Sequence, residues 1–153
     1  DIRRGSTHDR ALLVKFMNRT YRELFPDGDF PHLARTVDQY FSGQTPLWWG
    51  SANRGDNPSA IACLWMGSAI DQVTGDRHSH VLLLYVMPNC RRQGIGAALM
   101  RYAEQWAKEQ GDRQIGLQVF SHNQPALNLY ESLGYSPQSI WMVKPLNDKD
   151  YSE

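Results

Sequence analysis

Residues 81–96 read Val81-Leu82-Leu83-Leu84-Tyr85-Val86-Met87-Pro88-Asn89-Cys90-Arg91-Arg92-Gln93-Gly94-Ile95-Gly96. The first seven are apolar, and a bounded run of Val, Leu and Tyr suits a strand covered on both faces, at the centre of a sheet. From Gly96 to Gln110 the spacing turns helical, with Leu99, Tyr102, Ala103, Trp106 and Ala107 in one stripe and Gly111 as a stop. Strand, short loop, Gly94-Ile95-Gly96 and helix together gather exposed backbone N–H groups and the positive end of a helix dipole at one spot, where an anion is held. Glycine at 94 and 96 leaves no Cβ between backbone and ligand, and Arg91 and Arg92 offer charge-assisted contacts to phosphate. Taken alone, the same residues also describe a plain connecting turn with two solvated arginines. Two other phosphate loops are excluded. No Gly-Lys-Ser/Thr follows, and Leu99 stands where a dinucleotide fingerprint wants a third small residue. Neither ATP nor NAD is indicated.

Working outward, Ile115, Leu117 and Val119 alternate with Gln114, Gly116 and Gln118 as a strand does. Asn123 can cap a helix that tolerates Pro125 in its first turn, shows Ala126, Leu129, Tyr130 and Leu133 on one face, and ends at Gly134. The tail from Tyr135 to Leu146 reads as one or two closing strands. Upstream, a short strand at Ile2–Arg4 precedes a helix over Asp9–Leu24, stopped by Phe25-Pro26-Asp27-Gly28-Asp29. A second helix is expected from Pro31 to Phe41, then extended segments at Pro46–Ser51 and Ala60–Ile70 with a turn at Asn53–Pro58 between them.

The chain has 153 residues, 41% hydrophobic and 21% charged, enough to close one core, and a single domain over 1–153 is expected. Sixteen Lys and Arg balance sixteen Asp and Glu. That balance gives no field to recruit nucleic acid or an anionic membrane surface. The longest apolar run, Val81–Met87, is far short of the ~20 residues of a membrane span. No leader-like apolar segment lies near residue 1, and the two cysteines, Cys63 and Cys90, form neither a CxxC pair nor a disulfide framework. A cytoplasmic location fits these features.

The segments Leu83-Leu84-Tyr85-Val86-Met87-Pro88, Arg91-Arg92-Gln93-Gly94-Ile95-Gly96 and Asn123-Gln124-Pro125-Ala126-Leu127-Asn128-Leu129-Tyr130-Glu131-Ser132-Leu133-Gly134-Tyr135 occur in this order. They resemble the Gcn5-related N-acetyltransferase (GNAT) family, whose pattern is Gln/Arg-x-x-Gly-x-Gly/Ala followed by Asn-x-x-Ala-x-x-Leu-Tyr-x-x-x-Gly-Phe/Tyr. The likeness is strong from about Val81 to Leu146 and weak before it. It implies an α/β fold, a mixed central sheet with splayed central strands flanked by helices. It also implies acetyl-CoA as donor and coenzyme A as product, with the pantetheine arm in the resulting cleft. By position, the backbone of Leu84, Tyr85 and Val86 would pair with that arm as an added strand. Arg91 would serve the phosphates, Arg92, Gln93, Gly94, Ile95, Gly96 and Ala97 would cradle the diphosphate, and Asn123 would touch the arm.

Transfer to an amine needs an unprotonated amine, a polarised carbonyl and a proton for the departing thiolate. The resemblance implies Tyr130 as general acid, although helical spacing alone makes it a core tyrosine. Some relatives carry a glutamate base where this chain has Gln118, so that base is absent here. Others place a carboxylate four residues before the position whose N–H polarises the thioester, which here gives His80. On a regular strand His80, Leu82, Leu84 and Val86 share a face, with His80 ~13 Å from Leu84 at ~3.3 Å per residue, so a water chain is required. The competing reading makes His78-Ser79-His80 a polar strand entry. His-x-His without a third spaced ligand gives no metal site.

The expected acceptor is an amine on a small molecule or a peptide, with small amine, polyamine, amino acid, peptide N-terminus and protein lysine all open. Glu23, Asp27, Asp29 and Asp38 outnumber Arg22 and Arg35 around the first helical turn, and an acidic rim would attract a cationic amine. Trp48-Trp49 could offer a flat face to a cation, or could be core. Three functional readings stay open: an acetyl-CoA-dependent N-acetyltransferase, a catalytically silent acyl-CoA-binding or sensing domain, and a transferase using another acyl-CoA donor. The apolar tail and open strand edges also allow a homodimer.

Overall fold

The computed structural model describes residues 1–52 and 59–147; the turn expected at Asn53–Pro58 lies outside them. Among these residues the strands and α-helices follow in the order β1 (Ile2–Arg4), α1 (Arg10–Leu24), α2 (Leu33–Tyr40), β2 (Leu47–Ala52), β3 (Ser59–Ile70), β4 (Arg77–Val86), α3 (Ile95–Glu109), β5 (Ile115–Leu117) and α4 (Gln124–Ser132). The start of α1 is fixed by a capping box just ahead of it. Ser6 Oγ accepts from the His8 N–H at 3.2 Å and the Ser6 N–H donates to Asp9 Oδ2 at 3.0 Å. Asp9 Oδ2 also accepts from Trp49 Nε1 at 3.0 Å, which ties that first turn to β2.

The five strands lie in the order β1-β2-β3-β4-β5. The first three junctions are antiparallel, and β4 to β5 is parallel, joined by the α3 crossover. This is the mixed α/β sheet flanked by helices that the resemblance implies. Each face carries its own core. Leu13, Phe16 and Met17 of α1, with Leu33 and Val37 of α2, pack on Trp49, Trp65, Leu83 and Tyr85. Leu99, Met100 and Ala103 of α3 pack on Trp48, Leu64, Met66 and Val81. Trp48 and Trp49 are therefore both core, on opposite faces and 2% and 0% exposed, and neither ring is presented to a cation in solution. The alternation of a strand covered on both sides leaves no other place for two adjacent indoles.

Two departures from regularity position the site. Between β3 and β4, Trp65 is paired with Leu83 and Met66 with Val81, so Leu82 is an extra residue on β4. Such a bulge reverses the alternation of faces. Val81, Leu84 and Val86 accordingly serve the α3 core while Leu83 and Tyr85 serve the α1 core. The single face expected for His80, Leu82, Leu84 and Val86 is thus corrected. The extra residue shifts parity, and His80 does not share a face with Leu84. Gly67 makes room for the bulge, since a Cβ there would meet Leu82 Cδ1 at 2.9 Å.

The second departure is a seam. β4 and β5 are paired from Ser79–Ile115 to Val81–Leu117, after which β5 ends while β4 runs on to Val86. Among the described residues nothing pairs with β4 on that side beyond Val81, which leaves a wedge-shaped opening in the sheet.

Residues 136–147 form no strand, contrary to the closing strands expected for this tail. Apolar, β-prone residues become a strand only when an edge receives them, and this segment is laid against none. Ile140, Trp141, Met142 and Val143 are 76–85% exposed.

Candidate active site

The loop after β4 ends in a backbone nest. Arg92 has φ +64° and Gly94 φ +80°, and Gly94 is the residue before α3. Alternation into the left-handed region turns successive N–H groups toward one side, and the first helical turn adds its own unpaired donors. The Ala98 N–H, at 3.0 Å from the Gly94 carbonyl, begins the helical ladder, so the donors of Ile95, Gly96 and Ala97 lie ahead of it. A Cβ at Gly94 would meet nothing within 4 Å, so the space over the turn is open, whereas at Gly96 it would meet Leu129 Cδ2 at 3.3 Å and Val86 Cγ2 at 3.7 Å. Gly96 thereby lets α3, α4 and the end of β4 converge. Arg92, Gln93 and Gly94 are exposed beside these donors. A diphosphate fits this turn on the chemistry of the donors alone.

Arg91 does something different from the phosphate contact expected of it. Its Nη2 donates to Glu23 Oε2 at 2.7 Å and Oε1 at 3.0 Å, and its Nε donates to the Val86 carbonyl at 2.8 Å. The guanidinium also sits 5.4 Å from the centre of the Tyr85 ring, and Tyr85 donates its hydroxyl to Glu23 Oε1 at 2.7 Å. Burial first, and then the Glu23 carboxylate, push the Tyr85 phenol up to about 12. This clamp ties the end of α1 to the unpaired half of β4 and to the residue just ahead of the nest.

The α1 face of the seam is bridged by aromatic rings. Phe25 and Phe120 are 5.0 Å apart edge to face, Tyr21 and Phe120 6.4 Å, and Phe25 and His122 5.4 Å. His122 Nε2 also lies 3.3 Å from the Leu24 carbonyl. The segment after β5 is thus held to the end of α1, opposite β4. Phe25 and Phe120 remain 37% and 45% exposed. The acidic rim expected here is dispersed: Glu23 belongs to the clamp, and Asp38 is paired with Arg10. Sequence reading missed both the clamp and the aromatic bridge, because each joins residues dozens of positions apart and neither has a local spacing signal.

Tyr130 packs into the α3-side cluster with Leu84, Val86, Ile95 and Leu117, its ring 5.9 Å from that of Tyr135. No described residue hydrogen-bonds its hydroxyl, and burial pushes the phenol up to about 12. Asn123 uses Oδ1 to accept from the Ala126 N–H at 3.4 Å, as the cap of α4. Leu84, Tyr85 and Val86 are on the seam's open edge. His80 stands in the paired part of β4, opposite Gly67 on β3 and Gly116 on β5. Its Nδ1 is buried without a hydrogen-bond partner, and a Cβ on Gly116 would approach it to 3.3 Å. Burial, then the neighbouring His78, hold the imidazole below its ordinary value, which favours the neutral ring. Among the described residues, no three His, Cys, Asp or Glu side chains gather as metal ligands do.

Comparison with known proteins finds the same family and fold. The sequence profile of the acetyltransferase (GNAT) family matches residues 12–135. N-acetyltransferase family 8 member 3 of Rattus norvegicus is 30% identical over 124 residues, covering 81% of this chain and 52% of the rat protein. The chain spans about half or less of the length of the first curated relatives it matches. Among solved structures, a GCN5-related N-acetyltransferase from Ralstonia eutropha JMP134 is similar at TM-score 0.72 and 27% identity, over 95% of this chain and 97% of that one. A ribosomal-protein-alanine N-acetyltransferase from Brucella melitensis shares the fold at TM-score 0.70 and 18% identity, over 94% and 97% of the two chains.

Proposed function

The chain belongs to the acetyltransferase (GNAT) family, and from that premise we propose that it moves an acetyl group from acetyl-CoA to a primary amine on a small molecule or peptide by direct attack in a ternary complex. The observation that carries this reading is the adjacency of two features: the nest at Arg92–Gly94 opens directly beside the unpaired edge of β4. A diphosphate and an amide-bearing arm need those two surfaces side by side.

Acetyl-CoA supplies the activated acyl carbon and a thiolate leaving group. The chain's part is to hold and to supply protons. Backbone donors from Arg92 to Ala97 would hold the diphosphate, the edge of Leu84, Tyr85 and Val86 would hold the amides of the arm, and the Leu84 N–H would be the donor that polarises the thioester carbonyl. Asn123 holds the start of α4 and thereby the place of Tyr130. Arg91 is a positioning residue that fixes the nest through Glu23. Tyr130, protonated across the working range, keeps the proton destined for sulfur. His80, kept neutral by its surroundings, is the group able to receive the amine proton through water. The amine enters beneath the Phe25–Phe120 bridge, where aromatic faces suit the apolar body of a substrate or a cation above a ring.

A second reading, a catalytically silent acyl-CoA-binding domain, draws on one observation. Position 118 is glutamine and Glu23 is already engaged by Arg91 and Tyr85, so neither supplies an uncommitted carboxylate base. Thiol release from acetyl-CoA, measured against a panel of primary amines, separates the two. Turnover with at least one amine, cut about tenfold or more by Tyr130→Phe, is expected of the enzyme. Tight coenzyme binding with no turnover across the panel selects the silent domain.

A further inference from the structure

Where β4 is paired on both sides, one row across the sheet reads glycine, histidine, glycine. Gly67 of β3 and Gly116 of β5 are the register partners of His80 on β4, so its imidazole has no side chain beside it on either neighbouring strand. Val81 belongs to the α3-side core, and by alternation His78 and His80 lie on the other face, with Leu83 and Tyr85. Both gaps are used. Over Gly67 lies Leu82, the bulged residue, since a Cβ there would meet its Cδ1 at 2.9 Å. Over Gly116 lie two imidazoles at once: a Cβ there would meet His78 Cε1 at 3.1 Å and His80 Nδ1 at 3.3 Å. The two rings, 6.4 Å apart between centres and tilted by 55°, thus converge above a glycine.

Of the two, His78 is the anchored one. It is 8% exposed, and its Nδ1 lies 2.8 Å from the Ser79 carbonyl, to which it donates. His80 Nδ1 is buried without a partner, which leaves Nε2 as the nitrogen open to solvent. A protonated imidazole carries an N–H on each nitrogen, and the inner one of His80 would find no acceptor among the described residues. The charges around the pair are few. His78 is the charged neighbour that acts on His80. Asp71, just after β3, is attracted by His78, and its carboxylate also accepts from the Val73 N–H at 2.8 Å and Gln114 Nε2 at 3.1 Å. Asp112 is engaged by Arg77 at 3.0 Å and by the Ser79 N–H at 2.9 Å. A positive charge on His78 therefore has a counter-charge, and one on His80 has none.

We propose that His78 is a positioning residue for proton transfer: seated over Gly116, it fixes the His80 ring with Nε2 outward and keeps a second positive charge out of the pair. The inference rests on the proposed acetyl transfer, in which the amine proton reaches His80 through water. A proton taken up at Nε2 is then not retained, because the inner N–H has no acceptor and a charged His78 opposes it. It returns to solvent, and the ring is free for the next amine.

Titration of the histidine ring protons by NMR on the 153-residue chain reads the pair without any turnover, the His80 signal being assigned by its loss in His80→Gln. His78→Gln retains a donor for the Ser79 carbonyl and removes the charge. In it the His80 midpoint is expected to move up toward its ordinary value, and the acid limb of kcat/KM to move to higher pH with it, at a plateau kcat within about threefold of the parent. In Gly116→Ala, whose Cβ meets both rings, kcat is expected to fall about fivefold or more while Kd for coenzyme A stays within about twofold. An unmoved His80 midpoint in His78→Gln overturns the proposal, as does a midpoint that moves while the acid limb stays. A loss of stability with neither shift overturns it too, since His78 then only supports the fold. Failure of the underlying reading has a different signature: the parent chain turns over no amine at any pH, whereas the ring-proton titration still reports whether His78 keeps the charge off His80.

Discussion

Tyr85 and Glu23, sixty-two positions apart in sequence, are joined by a 2.7 Å hydrogen bond in which the phenol donates to the carboxylate. Arg91 closes the triangle from the start of the nest. One residue lies on the open edge of β4, the second near the end of α1 and the third beside the glycine turn ahead of α3. The clamp ties the shape of the proposed coenzyme site to α1, whose Phe16 and Glu23 both contact Tyr85. Glu23→Ala is therefore expected to weaken coenzyme A binding several-fold. Its direct cost in stability is small, about 0.5–1 kcal/mol, because the Glu23 and Arg91 side chains are 37% and 42% exposed. Calorimetric titration and urea denaturation measure both; an unchanged Kd contradicts the positioning role.

Tyr130 has a phenol pushed up to about 12 by burial. It therefore stays protonated through the range in which activity is measured, and no falling limb of kcat/KM below about pH 11 belongs to it. Tyr130→Phe is expected to lower kcat about tenfold or more without altering the shape of the profile. A basic limb near neutrality that disappears in the phenylalanine variant contradicts this assignment.

His80 sets a different pH dependence. Its folded value lies below the ordinary 6.5, chiefly through burial. As pH falls through the ordinary value the unfolded chain takes up a proton that the folded chain refuses, so stability is lost between that pH and the lower folded value and is complete above both. Urea midpoints taken downward from pH 7.5 should fall, and His80→Gln should flatten the slope. His80→Ala is also expected to shift the acid limb of kcat/KM; an unmoved limb removes His80 from proton transfer.

Phe120 carries the aromatic bridge, on the side of the seam proposed for the acceptor. Phe120→Ala is expected to raise KM for the amine several-fold while leaving KM for acetyl-CoA within about twofold, since the nest lies on another element. Equal rises in both would place Phe120 in general support of the fold.

Much of this was legible from residue order. The run Leu83–Val86 and the turn Gly94–Gly96 marked the strand and the start of α3, and Asn123 and Gly134 marked the ends of α4 almost to the residue. Those signals are local: period, cap and glycine conformation. What was hidden is relational. The bulge at Leu82 arises from how β3 and β4 pair, so the face of His80 could not be counted from alternation on β4 alone. The engagement of Arg91 by Glu23 depends on where α1 ends over the sheet, and a charge tally around the first turn could not separate clamp from rim. The tail had the right composition for a strand, but composition does not state whether an edge receives it.

The most direct test of the whole account is calorimetric titration of the chain with coenzyme A, alone and in Gly94→Ala. Alanine at φ +80° is strained by about 1 kcal/mol or more and turns the nest donors out of line. The expected result is one coenzyme bound per chain, with affinity reduced about tenfold in the variant. No heat of binding in the parent chain, or equal affinity in both proteins, would contradict the assignment of the turn at 92–97 as the seat of the diphosphate.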